Sequence, residues 1–476
     1  MLLFLLIAFG LAKGALLLVN RPSFLWDSGD YVKYADAILD HGRAFAPVNW
    51  GAEAMPKLIF RPPGYPLFLA AAKLISPSGF ATVAVIGQTL LNGIAVALIF
   101  VVAARLLGSS IAALAATTLY AASGSLLWDN AILSDSLFAS LWNIVVFTLL
   151  GQLLGCWRVT FLRGLGLGLS WGCAVWVRDA GLYFTLLPVL LMLLLAVREW
   201  RHFLQTLMQL TAFLLMVAAM VGGLVLLNLH RTGELVFSIT GVANWLQPIF
   251  EMQRRGYAQP FTGDDLISTA ARETLTNYNG DDQLRFIDEL HSRCRCTPTQ
   301  LQSLEFSYYL AAVKRFPVAY ARVVISNFNY FALGELVADP VATLDQFLEL
   351  GADKPEWRIP GFSLRHLTPL LQHFDLAALV LMLLSALAEL ISALIFTAYL
   401  LGTPYLLWRA LRRRQITAET IAIGFLWLNF LGLSLVFSLV HYEARYALPV
   451  LPAATIGIVF VVRRLLEGRN SAAPTE

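Results

Sequence analysis

Residues 82–104 read TVAVIGQTLLNGIAVALIFVVAA, from Thr82 to Ala104 without one charged side chain. The hydrocarbon core of a bilayer is about 30 Å thick and takes about 20 apolar residues in a helix. The stretch therefore reads as a membrane span. Similar runs recur on both sides of it. Of 476 residues, 58% are hydrophobic and 14% charged, where soluble domains carry about 25% charged residues. This excludes a soluble globular domain and predicts an all-α polytopic membrane protein. A formal charge of +3 is too small to suggest nucleic acid as a partner. Of the four cysteines, Cys156 and Cys173 lie in or beside apolar runs, so no disulfide framework is implied. No internal repeat is visible, and the only biased segment is the short tail Asn470–Glu476.

Met1–Val19 is apolar apart from Lys13 and lacks a basic leader and a small-residue cleavage site. It reads as a retained first span. Further spans are expected near Ile111–Leu126, Leu133–Cys156, Leu165–Val177, Leu182–Val197, Leu204–Asn228, Leu376–Trp408, Thr420–Val440 and Ala447–Val462. With Thr82–Ala104 that makes roughly ten transmembrane helices. Three parts follow: an N-terminal transmembrane module, 1–228, with a first outer loop at 20–79; a mostly helical outer segment, 229–373; and C-terminal transmembrane helices with a short tail, 374–476. Basic residues orient the chain. With the N-terminus inside, Arg105, Arg158, Arg163, Arg198, Arg201, Arg409, Arg412, Arg413, Arg414, Arg463, Arg464 and Arg469 all fall on the inner side. Asp27, Asp30, Arg61, Asp129, Asp135, Arg178 and Glu443 then fall outside. The scheme requires the over-long Leu376–Trp408 to cross once, as a tilted span preceded by an interfacial helix.

The first outer loop carries the most information. In Trp26-Asp27-Ser28-Gly29-Asp30-Tyr31 and onward, Tyr31, Tyr34, Ala35, Ile38 and Leu39 fall on one helical face, and Gly42 ends it. Such a helix beside a span is expected to lie flat on the membrane. Asp27 and Asp30 at its start have two readings: helix capping or chemistry. Some thirty residues on, Arg61-Pro62-Pro63-Gly64-Tyr65-Pro66 locks the backbone and can aim the Arg61 guanidinium at a phosphate. Loose pairing with anionic lipid is the plainer reading.

Taken with three later stretches, these motifs resemble the polyprenyl-phosphate-sugar glycosyltransferases related to protein O-mannosyltransferases and to the bacterial aminoarabinose transferase of lipid A. The later stretches are Leu133-Ser134-Asp135-Ser136-Leu137-Phe138, Val177-Arg178-Asp179-Ala180-Gly181-Leu182 with Pro188, and Tyr442-Glu443-Ala444-Arg445-Tyr446-Ala447-Leu448-Pro449. All five occur in the family's order and on one expected side. One departure is Asp179, where the family usually has proline. The resemblance implies the glycosyltransferase C fold and a donor that is a sugar on a polyprenyl phosphate. It implies a carboxylate of the first outer loop as general base, Asp27 first and Asp30 second, and inversion at the anomeric carbon. Arg61, Arg178 and Arg445 would hold the departing phosphate. Tyr31, Tyr65, Asp135, Tyr442, Glu443 and Tyr446 would position substrate, with Asp135 bonding the sugar, orienting an arginine or simply capping its span. The acceptor would be a glycan, a lipid A-type lipid or a protein. The resemblance also implies a bacterial inner membrane, with the site facing the periplasm. No cofactor is expected. The acids are spaced Asp-x-x-Asp rather than Asp-x-Asp, which argues against a metal mechanism while leaving a divalent metal open.

In the outer segment, Thr297-Pro298-Thr299-Gln300 predicts a capped helix running through Lys314, with Pro317 starting another. Tyr308, Tyr309, Phe316, Tyr320, Phe328, Tyr330 and Phe331 read as an interfacial aromatic belt. His291 with Cys294 and Cys296 is weak evidence for zinc. Lys13 and Glu389 are charges inside spans; Lys13 is expected to snorkel to the interface or toward a lipid phosphate. A transporter or flippase of a lipid-linked sugar or anionic solute is the alternative function. It predicts internal repeats and a polar path through the spans. The identity of the sugar and of the acceptor is not encoded in these motifs.

Overall fold

The computed structural model describes all residues except 20, 26, 41, 48–60, 123–127, 199, 239–243, 278–282, 335–396, 415, 441–443 and 471–476. The described residues are overwhelmingly helical, with one isolated bridge between Ser23 and Ala131. The N-terminal part comprises α1 (Leu2–Val19), α2 (Ser28–Leu39), α3 (Gly64–Ile75), α4 (Phe80–Leu107), α5 (Ser110–Ala121), α6 (Ser134–Leu153), α7 (Phe161–Val177), α8 (Ala180–Tyr183), α9 (Leu186–Arg198) and α10 (Phe203–Thr232). The outer segment holds α11 (Gln247–Arg254), α12 (Leu266–Asn277), α13 (Gln283–Cys294), α14 (Pro298–Arg315) and α15 (Pro317–Gly334). A helix at 397–412, α16, is followed by α17 (Ala418–Val440), a 3₁₀ turn at Ala444–Val450, and α18 (Leu451–Asn470).

Among the described residues, six helical stretches are long and apolar enough to cross a bilayer: Phe80–Leu107, Ser134–Leu153, Ala180–Arg198, Trp200–Thr232, Ala418–Val440 and Arg445–Arg464. This is a helical, multi-pass membrane protein. Four shorter apolar helices, Leu2–Leu18, Gly64–Ile75, Ser110–Ala121 and Phe161–Val177, accompany them. Residues 376–396 of the over-long run, including Glu389, lie outside the described residues.

The bundle is built around α6, which is buried along nearly its whole length. Trp142 on α6 packs against Trp171 of α7 and Phe184, with ring centroids 4.8 and 5.5 Å apart. Phe184 continues to Phe437 of α17, and Phe437 to Tyr446 at 4.7 Å. This aromatic column ties the N-terminal helices to the C-terminal ones. Close approach of α7 and α10 depends on Gly164, Gly168 and Gly172. A Cβ on Gly168 would lie 2.7 Å from the Phe213 carbonyl oxygen, so a small residue every fourth position lets the backbones touch. Thr160 caps α7 by accepting from the Arg163 amide at 3.3 Å.

The two ends of α6 differ. At its C-terminal end, Gln152 and Gln209 exchange reciprocal amide bonds at 3.1 and 2.9 Å, and Arg105 donates to the Leu154 carbonyl. At its N-terminal end residues 21–28 are sewn to residues 129–136. Backbone bonds join Ser23 to Asn130 and Ile132, and Ser28 donates its hydroxyl to the Ile132 carbonyl at 2.9 Å.

Three expectations need correction. Most of the apolar face of α2 packs on protein: Tyr31, Tyr34 and Ala35 are buried while Leu39 at the end is exposed, and Tyr34 accepts a bond from Arg231 of α10 at 2.9 Å. Lys13 does not snorkel; it forms a buried ion pair with Asp129 at 2.7 Å, which satisfies its charge inside the bundle. The aromatics of α14 and α15 are not a plain surface belt. Tyr308 stacks on Phe261, and Tyr309 bonds Tyr320, whose hydroxyl reaches the Leu439 carbonyl at 2.8 Å. They complete a second core, formed by Phe250, Phe261, Phe286, Leu301 and Val323, and join it to α17. The side chains of Tyr330 and Phe331 lie outside the described residues. Helices α14 and α15 run as expected, and Gln300 accepts from the Thr297 amide at 3.0 Å as a capping-box residue does.

Candidate functional site

Five chain segments meet at the N-terminal end of α6. Asp27 stands just before α2. Its φ of −76° and ψ of −12° are helical, and its side chain makes no capping bond. The carboxylate turns elsewhere, so the capping reading fails for Asp27. Arg61 is delivered by the Pro62-Pro63 turn that starts α3. Gly64 lets that turn wedge against the end of α7: a Cβ there would lie 2.5 Å from the Trp176 carbonyl carbon. Arg178 follows two residues later. Asp135 lies in the first turn of α6. Arg445 and Tyr446 come from the 3₁₀ turn before α18.

These groups form one continuous ion network. Arg61 Nη2 donates to Asp27 Oδ1 at 2.5 Å, and Arg445 Nη2 to Asp27 Oδ2 at 2.9 Å. Arg445 Nη1 also lies 3.5 Å from Asp135 Oδ2, and Arg178 Nη1 pairs with Asp135 Oδ1. The Tyr446 ring packs under Arg178 at 4.0 Å and beside Arg445 at 5.8 Å. Arg61 lies over the Tyr31 ring at 5.5 Å. The network is buried in its middle and reaches the surface at both ends, with the Arg178 side chain 16% exposed at the far end. The side chains of Asp135 and Arg445 are 3% and 6% exposed, those of Asp27 and Arg61 18% and 21%. Burial alone would weaken the Arg61 charge; Tyr31 and Asp27 more than offset it, so its pKa is raised. Burial likewise raises the Tyr31 hydroxyl, against the pull of Arg61, with Asp27 and Asp135 adding to the rise.

Thus Asp27, Arg61, Asp135, Arg178, Arg445, Tyr31 and Tyr446 converge. Other expected site residues stand apart. Asp30 is half-buried and belongs to none of these ion pairs. Tyr65 is fully buried behind Tyr31, with ring centroids 4.9 Å apart, and gives its hydroxyl to Gln88 at 2.8 Å. It supports the Tyr31 ring from behind. Tyr442 and Glu443 lie outside the described residues. Asp179 takes a bond from Ser238, linking the Arg178 segment to the start of the outer segment.

Several contributors escaped the sequence reading. Ser134 bonds the Tyr31 hydroxyl at 2.9 Å. Gln88 and Asn92, one turn apart on α4, hold residues 129–131 from below: Gln88 donates to the Asp129 and Ala131 carbonyls at 2.9 and 3.1 Å, and Asn92 to the Asp129 carboxylate at 2.5 Å. Two polar residues four apart inside an apolar span were the available signal.

Elsewhere, Cys294 and Cys296 are joined by a disulfide, a local bridge that composition did not suggest. Their sulfurs are therefore not thiolates for a metal beside His291. Among the described residues, no group of three or more His, Cys, Asp or Glu side chains is placed to hold a metal ion.

Chemically, guanidinium groups at a half-open edge form a cradle for an oxyanion, and a carboxylate beside them can accept a proton. No protein-family model matches this chain, and no curated protein sequence matches it.

Proposed function

We propose that this protein is an integral-membrane glycosyltransferase of the glycosyltransferase C fold. It moves a sugar from a polyprenyl-phosphate donor to an acceptor on the outer face of a bacterial inner membrane. The observation that carries this reading is the ion network itself. Residues as far apart as Asp27 and Arg445 meet there, each drawn from a motif that resembles the family. In this reading the chain crosses the membrane roughly ten times, and the Arg105 and Arg158 end of α6 faces the cytoplasm.

The reaction follows from the groups present. The acceptor hydroxyl or amine gives its proton to the Asp27 carboxylate as its heteroatom bonds the anomeric carbon. The bond from that carbon to the phosphate oxygen breaks, and its electron pair leaves with the polyprenyl phosphate. Arg61, Arg178 and Arg445 hold the departing charge in a site screened from bulk water. Attack opposite the leaving group inverts the anomeric centre. Tyr31 and Tyr446 shape the walls beside the arginines. Asp135 holds Arg178 and Arg445 in place.

The test is transfer of labelled sugar from a panel of polyprenyl-phosphate donors to membrane extracts. Wild type is expected to transfer from at least one donor, and Asp27→Asn to lose at least about 10²-fold in rate. An active Asp27→Asn with an inactive Asp30→Asn would move the base to Asp30. A transporter remains the second reading because Lys13 and Asp129 place charge within the bundle. Movement of the donor across vesicles without any transfer would favour it.

A further inference from the structure

Both oxygens of the Asp27 carboxylate are occupied, one by Arg61 at 2.5 Å and the other by Arg445 at 2.9 Å. Arg178 and the second nitrogen of Arg445 are held by Asp135. A carboxylate and a phosphate offer a guanidinium the same kind of paired oxygens. Asp27 therefore sits where the oxygens of an oxyanion would sit. The charges point the same way: three guanidinium groups against two carboxylates leave one positive charge, which one phosphodiester anion would neutralise. The two aspartates are not equivalent. Asp135 is 3% exposed, in the buried middle of the network; Asp27 and its partner Arg61 are 18% and 21% exposed.

We propose that Asp27 is the resident stand-in for the donor phosphate, and that the donor displaces it. This rests on the reading given under Proposed function. The incoming phosphodiester takes over Arg61 and Arg445. In the same exchange the Asp27 carboxylate loses its two cations and becomes available to the acceptor. Only ion pairs are exchanged in this step. The donor must then bind before the acceptor is activated. The acid is held against the arginines whenever no donor is present, which keeps it from acting on water or a stray hydroxyl. Internal competition also weakens donor binding, because only the fraction of molecules with Asp27 displaced can bind.

The experiment measures binding of the methyl phosphodiester of undecaprenol to the full chain in detergent micelles. Asp27→Asn is expected to bind the probe about tenfold more tightly than wild type, a gain of about 1.4 kcal/mol. Asp36→Asn removes an outer-loop charge that pairs with Lys73 rather than with the network. It is expected to leave the affinity unchanged. Equal or weaker binding by folded Asp27→Asn overturns the proposal, as does an equal gain in Asp36→Asn. Should Asp27→Asn not fold, infrared difference spectra of wild type labelled with ¹³C at aspartate carboxyls decide. The probe should shift an aspartate carboxylate band, and an unchanged spectrum at saturation overturns the exchange. Probe binding without tightening would sink this inference alone. No probe binding to any variant, with no transfer from any donor, would end the glycosyltransferase reading as well.

Discussion

Two charged clusters lie a few residues apart along the 129–136 segment, and they are built differently. Around Asp129, one lysine meets one carboxylate. Lys13 pairs with Oδ2 at 2.7 Å, Asn92 donates to the same oxygen at 2.5 Å, and Ser136 donates to Oδ1. Tyr120 in turn donates to Asn92 at 2.9 Å. The charges cancel, both side chains are sealed, and both oxygens are bound by fixed neighbours. Around Asp27 and Asp135, cations outnumber carboxylates, and Arg61, Asp27 and Arg178 reach the surface. The first cluster is a tether that holds a loop; the second has charge and access to spare for a ligand. A charge count combined with exposure separates scaffold from site, although both contain an aspartate in an ion pair.

The largest expected effect strikes the tether. Asp129→Ala should lower stability in detergent by roughly 3–5 kcal/mol, since it strands the Lys13 charge in the bundle. Lys13→Met with Asp129→Leu should recover most of that loss in thermal unfolding. A harmless Asp129→Ala would break the distinction. Next comes the site. Arg445→Gln should reduce sugar transfer by roughly 10²–10³-fold, with a smaller loss of stability than Asp129→Ala, because Asp27 keeps Arg61 and Asp135 keeps Arg178. The smallest effect sharpens the rule with a third case. Glu305 of the outer segment is fully buried and makes no hydrogen bond among the described residues. Burial raises its carboxyl well above the usual range. The folded state therefore keeps a proton that the unfolded chain releases above about pH 4.3, and stability falls as pH rises past that value. Glu305→Gln should raise the unfolding midpoint at pH 8 and leave it unchanged below about pH 4. A lowered midpoint at pH 8 would mean instead that a charged partner holds Glu305 ionised.

Much of the molecule was legible before any coordinates. The expected span at Thr82–Ala104 became Phe80–Leu107, and Thr420–Val440 became Ala418–Val440, because the length of an apolar run and the thickness of a bilayer are matched quantities. Arg61, Arg178 and Arg445 stood out in the sequence through their motifs, and the structure brings all three into one ion network. The failures have a common physical cause. Lys13, the Tyr31–Ala35 face and the tyrosines of α14 and α15 were all assigned to the membrane surface. In each case the partner is a distant residue that periodicity cannot reveal.

The sequence by itself determined that the chain is a bundle of membrane-crossing helices, which residues carry charge near their ends, and where the chain is locked by Pro62-Pro63 and Gly64. These properties are local: run length, residue type and backbone restriction act within a turn or two of each position. Only the tertiary structure decided which charges meet. Arg445 reaches Asp27, and Lys13 reaches Asp129, across helices whose packing depends on Gly64, Gly168 and the column of rings from Trp142 to Tyr446. An ion pair is made by distance in space, and spacing along the chain does not set that distance.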